Sequence, residues 1–177
     1  MYKKTVVFYY SKYGSTQKYA EYLAEQIGCE KFPIEKVEEM DLSTYDIVIF
    51  GSGLYAGRIK HKDIYSKCKE AKKILFTVGI ADPESTDYSD ILKSNFSEEL
   101  LGELEIFHLR GNLDYTNMTL IHKIMMWALM KFKVEKIKLE ERTDEVNMMI
   151  ETYGKKVDFI DLKSTEPILK LVKEQML

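Results

Sequence analysis

Residues 5–17 read Thr-Val-Val-Phe-Tyr-Tyr-Ser-Lys-Tyr-Gly-Ser-Thr-Gln, and this stretch constrains the rest of the chain. A β-branched and aromatic run ends in a hydroxyl-rich loop. The loop opens directly into a helical pattern at Tyr19, Ala20, Tyr22, Leu23 and Ile27. A strand that hands over to a helix in this way leaves free amide N–H groups at the helix start, where the helix dipole also favours an anion. Gly14 permits the tight turn and a close backbone approach to a ligand. Ser11, Ser15 and Thr16 add hydroxyl donors. The loop therefore reads as a phosphate cradle; the plainer alternative is a strand-to-helix turn capped by Ser15 or Thr16. Neither G-x-x-x-x-G-K-[ST] nor G-x-G-x-x-G occurs, so it is neither a triphosphate loop nor the dinucleotide fingerprint.

The same alternation continues along the chain. After the first strand (4–10) and helix (16–28) come a short strand at 30–34, a polar connection at 37–44 and a continuous apolar strand at 45–51. Then follow a helix at 59–70, a buried strand at 73–79, a helical stretch at 88–101 with Ser97 placed to cap its last turn, and a fifth strand at 104–110. Strands alternating with helices predict an α/β fold, a doubly wound five-stranded parallel sheet of order 2-1-3-4-5. In that order the ligand sits where the winding reverses, beyond strands one and three.

That rule sends the loop after strand three to the same place as residues 11–16. It reads Gly51-Ser52-Gly53-Leu54-Tyr55-Ala56-Gly57-Arg58: its glycines allow close approach to a flat ring, and Tyr55 is placed to stack on one. The alternative is a flexible glycine-rich turn with an exposed tyrosine. The loop after strand four completes the edge through the backbone of Val78, Gly79 and Ile80, with Tyr88 a helix-start residue or, alternatively, a second residue that stacks on the ring.

After strand five the chain does not go straight to a last helix. Residues 112–140 are an insertion, 143–157 read as the final helix of the sheet layer, and 160–177 as a tail without an assigned role, all within a single domain spanning 1–177. Within the insertion, 119–132 is helical. Ile121, Ile124, Met125, Ala128, Leu129 and Phe132 form one apolar face suited to packing on the domain, while Leu120, Met126, Trp127 and Met130 fall on another sector, beside His122, Lys123 and Lys131. A helix apolar on two sides needs a second partner. Between Tyr115 and Val134 there are lysines but no acidic residue, which suits residues 118–134 to a peripheral contact at a membrane surface; a buried helix or a homodimer contact are the alternatives.

Composition adds limits. Cys29 and Cys68 are isolated, and His61, His108 and His122 are scattered, so no metal site is expected and the cysteines fit a reducing cytoplasm. No apolar run is long enough to span a bilayer, and the amino terminus shows no signal-peptide pattern.

The pattern Ser11-x-x-Gly14-x-Thr16, with Tyr13 at the place of a central threonine, and the Gly-Ser-Gly-Leu-Tyr-Ala-Gly loop resemble those of flavodoxin-fold proteins. The block Gly111-x-Leu113-Asp114-Tyr115, followed by a Met- and Leu-rich basic helix, is similar to the flavodoxin-like, oxygen-independent (menaquinone-dependent) protoporphyrinogen oxidases. The resemblance covers about residues 3–157. It implies FMN as cofactor, held by Ser11, Lys12, Tyr13, Gly14, Ser15, Thr16, Ser52, Gly53, Leu54, Tyr55, Ala56, Gly57, Val78, Gly79 and Ile80. It implies dehydrogenation of a bulky apolar substrate such as protoporphyrinogen, as part of heme biosynthesis. A quinone or a redox protein would be the acceptor, and the protein would be cytoplasmic, at the inner face of the membrane. Arg58, Tyr115, Lys123, Trp127 and Lys131 are the expected substrate or partner contacts. No catalytic residue is assigned; Asp114 is an acid–base candidate against a structural role in its turn. Nucleic acid is not an expected partner. Net charge is −3, unlike the strongly acidic electron-carrying flavodoxins, so an electron carrier stands as the alternative, beside an NAD(P)H or quinone reductase.

Overall fold

A computed structural model describes residues 3–55, 57–68, 70–132, 134–142 and 144–176, the side chains of 144 and 145 excepted. Its sheet contains β1 (Thr5–Tyr10), β2 (Glu30–Pro33), β3 (Ile47–Gly53), β4 (Lys72–Gly79) and β5 (Leu104–Arg110), in the order β2-β1-β3-β4-β5. Every neighbouring pair is parallel. This is the expected topology, with the winding reversed between β1 and β3. The inner strands are apolar on both sides because both sides are covered. Val6, Phe8, Val48, Phe50 and Leu75 face one core; Val7, Ile47, Ile49, Ile74 and Phe76 face the other.

The first core is closed by α2 (Ser89–Asn95), α3 (Glu98–Glu103) and 3-10 turns at Ile34–Glu39, Leu42–Thr44 and Lys62–Lys67. The helix breaks between α2 and α3 where Ser97 was expected to cap: its side chain accepts a bond from the Leu100 amide. The expected helix over 59–70 is instead only the 3-10 turn. Its would-be first turn is committed elsewhere, because the Ile59 amide donates to the Asn95 side chain and His61 has φ 55°. β3 begins and ends two residues later than expected, since the Tyr45 amide closes the preceding turn onto Leu42 while Ser52 and Gly53 still pair with neighbouring strands.

The second core is closed by α1 (Ser15–Ile27) and α6 (Glu166–Met176). This corrects the expectation for the carboxyl-terminal residues. Ile168 and Val172 of α6 are fully buried against Val7, Tyr19 and Ile74, so Glu166–Met176, within the stretch 160–177 expected as a tail, supplies the last helix of the sheet layer. The stretch expected there, 143–157, belongs to the insertion. That excursion contains β6 (Asn112–Asp114), α4 (Leu120–Phe132), α5 (Asp144–Thr152) and β7 (Lys156–Asp158), with β6 and β7 antiparallel. It therefore runs to Asp158, well past 140. The buried Tyr19 hydroxyl pins both of its ends to α1, donating to the Arg110 carbonyl (2.7 Å) and accepting from the Asp161 amide (3.0 Å).

Candidate functional site

The loops after β1 and β3 meet at the carboxyl edge of the sheet. Gly14 has φ 90° and precedes α1, and its amide donates to the Ser11 hydroxyl at 3.1 Å. The first intrahelical bond of α1 is from Lys18 to Gly14, so the amides of Ser15, Thr16 and Gln17 have no acceptor within the helix. The Lys12 amide donates to the Tyr55 hydroxyl at 2.9 Å. Tyr55 arrives on a tight hairpin in which its amide and carbonyl pair with those of Arg58. Its ring lies over Gly53, where a Cβ would come within 2.8 Å of the phenol. It also packs edge-on against Tyr10, at 5.8 Å between centroids. Burial pushes the Tyr55 hydroxyl up to about 12, so it is a neutral hydrogen-bonding group at physiological pH. Free amides, hydroxyls, one ammonium group and an aromatic wall at one sheet edge form a donor set that fits a phosphate carried by a flat ring.

Other expected contacts are placed differently. The Ser15 hydroxyl accepts from the Asn112 amide at 3.0 Å and donates to the Asn112 side chain at 2.6 Å, so it ties α1 to β6 and is not turned toward a ligand. Thr16 is buried. Ser52 is fully buried in β3 with its hydroxyl on the Gly53 carbonyl, which leaves only its backbone at the edge. The carbonyls of Val78, Gly79 and Ile80 accept from Leu54 N–H, Gly111 N–H and the Arg110 guanidinium. These three residues thereby fasten the β4 loop to its neighbours. Ala56 lies outside the described residues.

The insertion reaches the same edge. Tyr13, at the central-threonine position, has its hydroxyl 2.6 Å from Nδ1 of His122, and the Lys12 ammonium lies 3.4 Å from Nε2. His122 thus turns one side of α4 inward, and Met130 on the same side is buried. The face expected to pack on the domain is the outer one instead: Ile121 is 71% exposed, Ile124 54% and Phe132 58%.

A family model described as "Flavodoxin domain" matches residues 6–139. The chain belongs to the flavodoxin-domain family. The uncharacterized protein MJ0298 of Methanocaldococcus jannaschii is 34% identical to this flavodoxin-domain chain over 103 residues, covering 58% of this chain and 66% of that one, just under two thirds of the relative's length. Among solved structures, the chain is similar to the Trp repressor binding protein from Bacillus subtilis, with 13% identity over 61% of this chain and 83% of that one, and a TM-score of 0.44. It is also similar to a flavoprotein in complex with FMN from Lactobacillus acidophilus, with 18% identity over 61% and 92%, and a TM-score of 0.40. Family membership rests on the sequence match alone.

Three of the five residues expected to touch a substrate or partner of this flavodoxin-domain protein come together. Tyr115, Lys123 and Trp127 line one cavity of about 380 Å³ with Ile124, Tyr153 and Gly154. Tyr115 and Tyr153 meet edge-on at 5.3 Å. The other two lie apart: Arg58 is exposed on the Tyr55 hairpin, and Lys131 pairs with Glu135 at 3.1 Å. Asp114 is structural. Its carboxylate takes bonds from the Thr116 hydroxyl, Lys156 and the amides of Thr116 and Asn117, which hold it down at about 2. Two residues escaped the sequence reading. Buried Asn95 clamps the Tyr55 hairpin from α2, donating to the Gly57 carbonyl at 2.8 Å and accepting from the Ile59 amide at 3.0 Å. His122 is placed by the sequence on the lysine-bearing sector of α4, but its contact with Tyr13 and Lys12 in the first loop leaves no local signal.

Proposed function

We propose that this chain binds FMN at the edge formed by the β1 and β3 loops and acts as a flavin-dependent oxidoreductase. The observation that carries the reading is the Tyr55–Lys12 hydrogen bond, which joins the hydroxyl-rich loop to the glycine-dense one; membership in the flavodoxin-domain family supports it. Lys12, Tyr13, Gly14 and the amides at the start of α1 would hold the phosphate. Tyr55 would cover one face of the ring, with Asn95 keeping its hairpin in place. When bound, FMN supplies two-electron acceptance from a substrate and return of those electrons to an acceptor.

The substrate we propose is bulky and apolar with peripheral carboxylates, of the protoporphyrinogen kind. The aromatic cavity of Tyr115, Trp127 and Tyr153, with Lys123 at its side, is its wall. The acceptor is a membrane quinone, reached through peripheral contact of α4 with an anionic lipid surface. Among the described residues, no helix is long and apolar enough to cross a membrane.

The experiment is anaerobic reduction of the FMN-loaded protein by protoporphyrinogen, by reduced nicotinamide and by reduced ferredoxin, side by side. Rapid bleaching by protoporphyrinogen supports the reading. Bleaching by reduced nicotinamide alone makes the protein a reductase, and bleaching by reduced ferredoxin alone makes it an electron carrier.

A further inference from the structure

Lys12 and His122 come from segments 110 residues apart, yet place two nitrogens 3.4 Å from each other beside the loop that opens α1. The contact fixes the chemistry of the ring. A lysine ammonium has no acceptor capacity, so it donates the hydrogen bond and Nε2 accepts it. Nδ1 then carries the hydrogen, which it donates to the Tyr13 hydroxyl at 2.6 Å. His122 is therefore neutral in this arrangement. Its pKa is lowered by burial and by Lys12. The titratable and charged groups that pack on it from other elements are Lys12, Tyr13 and Tyr55; on its own helix, the neighbouring Lys123 is drawn toward the Thr116 carbonyl. Among the described residues, none of these is a carboxylate.

Two cations this close repel unless an anion lies beside both. A dianion there would accept from the ammonium and, once His122 took up a proton, from Nε2 as well. The loop itself brings one cationic side chain, Lys12, and its central-threonine hydroxyl is replaced by a tyrosine that His122 already engages.

We infer that His122, delivered by the insertion, joins Lys12 as a cationic clasp for the cofactor's phosphate group. The inference rests on the FMN reading above and adds a residue from outside the first loop to the site. It also gives the insertion a task at the cofactor: α4 docks on the phosphate side of the site while its next residues, Lys123 and Ile124, line the cavity.

The test is an equilibrium titration of the full chain and of His122→Gln with FMN and with riboflavin, read by quenching of flavin fluorescence at pH 6 and pH 8. Riboflavin has the same ring without the phosphate. The expected result at pH 6 is an approximately tenfold loss of FMN affinity in His122→Gln with riboflavin affinity unchanged, and a smaller difference between the two proteins at pH 8, where the histidine is neutral. Equal losses for both ligands would make His122 a packing residue of α4 and overturn the inference, as would unchanged FMN affinity; the FMN reading would survive either result. Failure of the unsubstituted chain to bind either flavin overturns both.

Discussion

The hydroxyl of Tyr55 accepts a 2.9 Å hydrogen bond from the backbone amide of Lys12, 43 residues earlier in the chain. This one bond closes the carboxyl edge of β1 on that of β3. It places an aromatic ring, a lysine and the start of α1 within one ligand's reach. Tyr55→Phe keeps the wall and removes the bond that joins the loops, so FMN affinity should fall, but by less than in Tyr55→Ala. Tyr55→Ala removes the wall and should cost several-fold in affinity, of order 1 kcal/mol, with a shift in the flavin absorption bands. Titration of both variants checks this; identical binding and spectra in Tyr55→Ala would take the ring out of the site.

Gly51 is fixed by packing. A Cβ on Gly51 would stand 2.1 Å from the Phe76 ring in β4. Gly51→Ala should therefore destabilise the fold by about 1–3 kcal/mol, and Phe76→Leu in the same chain should return part of it. Urea unfolding of the single and double variants measures the coupling; additive losses would mean that the ring has room to move.

His108 makes stability depend on pH. It stacks on Tyr88 at 3.7 Å and lies 2.5 Å from the Thr77 hydroxyl, and burial lowers it from 6.5 to about 4. The folded value is depressed, so the unfolded chain binds the proton first. Stability is complete above pH 6.5 and falls as pH drops toward 4. His108→Gln should flatten the urea midpoint across that window. A wild-type midpoint unchanged between pH 7 and pH 4.5 would contradict the assignment.

The outer face of α4 predicts lipid binding. Leu120, Ile121, Ile124 and Phe132 are exposed, in a stretch from Tyr115 to Val134 with lysines and no acidic residue. The chain should float with vesicles containing anionic lipid, less so at high salt, and Ile121→Asp with Ile124→Asp should abolish it. Flotation unaffected by the pair, or concentration-dependent dimerisation that the pair abolishes in the absence of lipid binding, would assign the face elsewhere.

Much of the fold was legible because its signals are local. β5 falls on the residues expected, and Ser97 caps as read. The closing helix was misplaced because two segments, 143–157 and 166–176, carry similar amphipathic spacing. Periodicity cannot say which one the sheet will bury. Ile168 and Val172 settle it through tertiary packing. β6 and β7 are three residues each and lie more than forty apart, too short to show a period. At the site, glycine and hydroxyl content marked out the two loops, after β1 and β3, that the Lys12–Tyr55 bond joins. What the sequence could not show is which groups the protein uses on itself: Ser15 on Asn112, Asn95 on the Tyr55 hairpin, His122 on Tyr13. Such bonds join distant segments and leave no local pattern.

Two loops that hold a flat ring with a phosphate tail bind FMN one to one. Titrating the purified, flavin-stripped chain with FMN tests it most directly. The expected result is quenching that saturates at one FMN per chain, with a dissociation constant in the micromolar range or tighter, and weaker binding of riboflavin. FMN fluorescence unchanged at millimolar protein would contradict it.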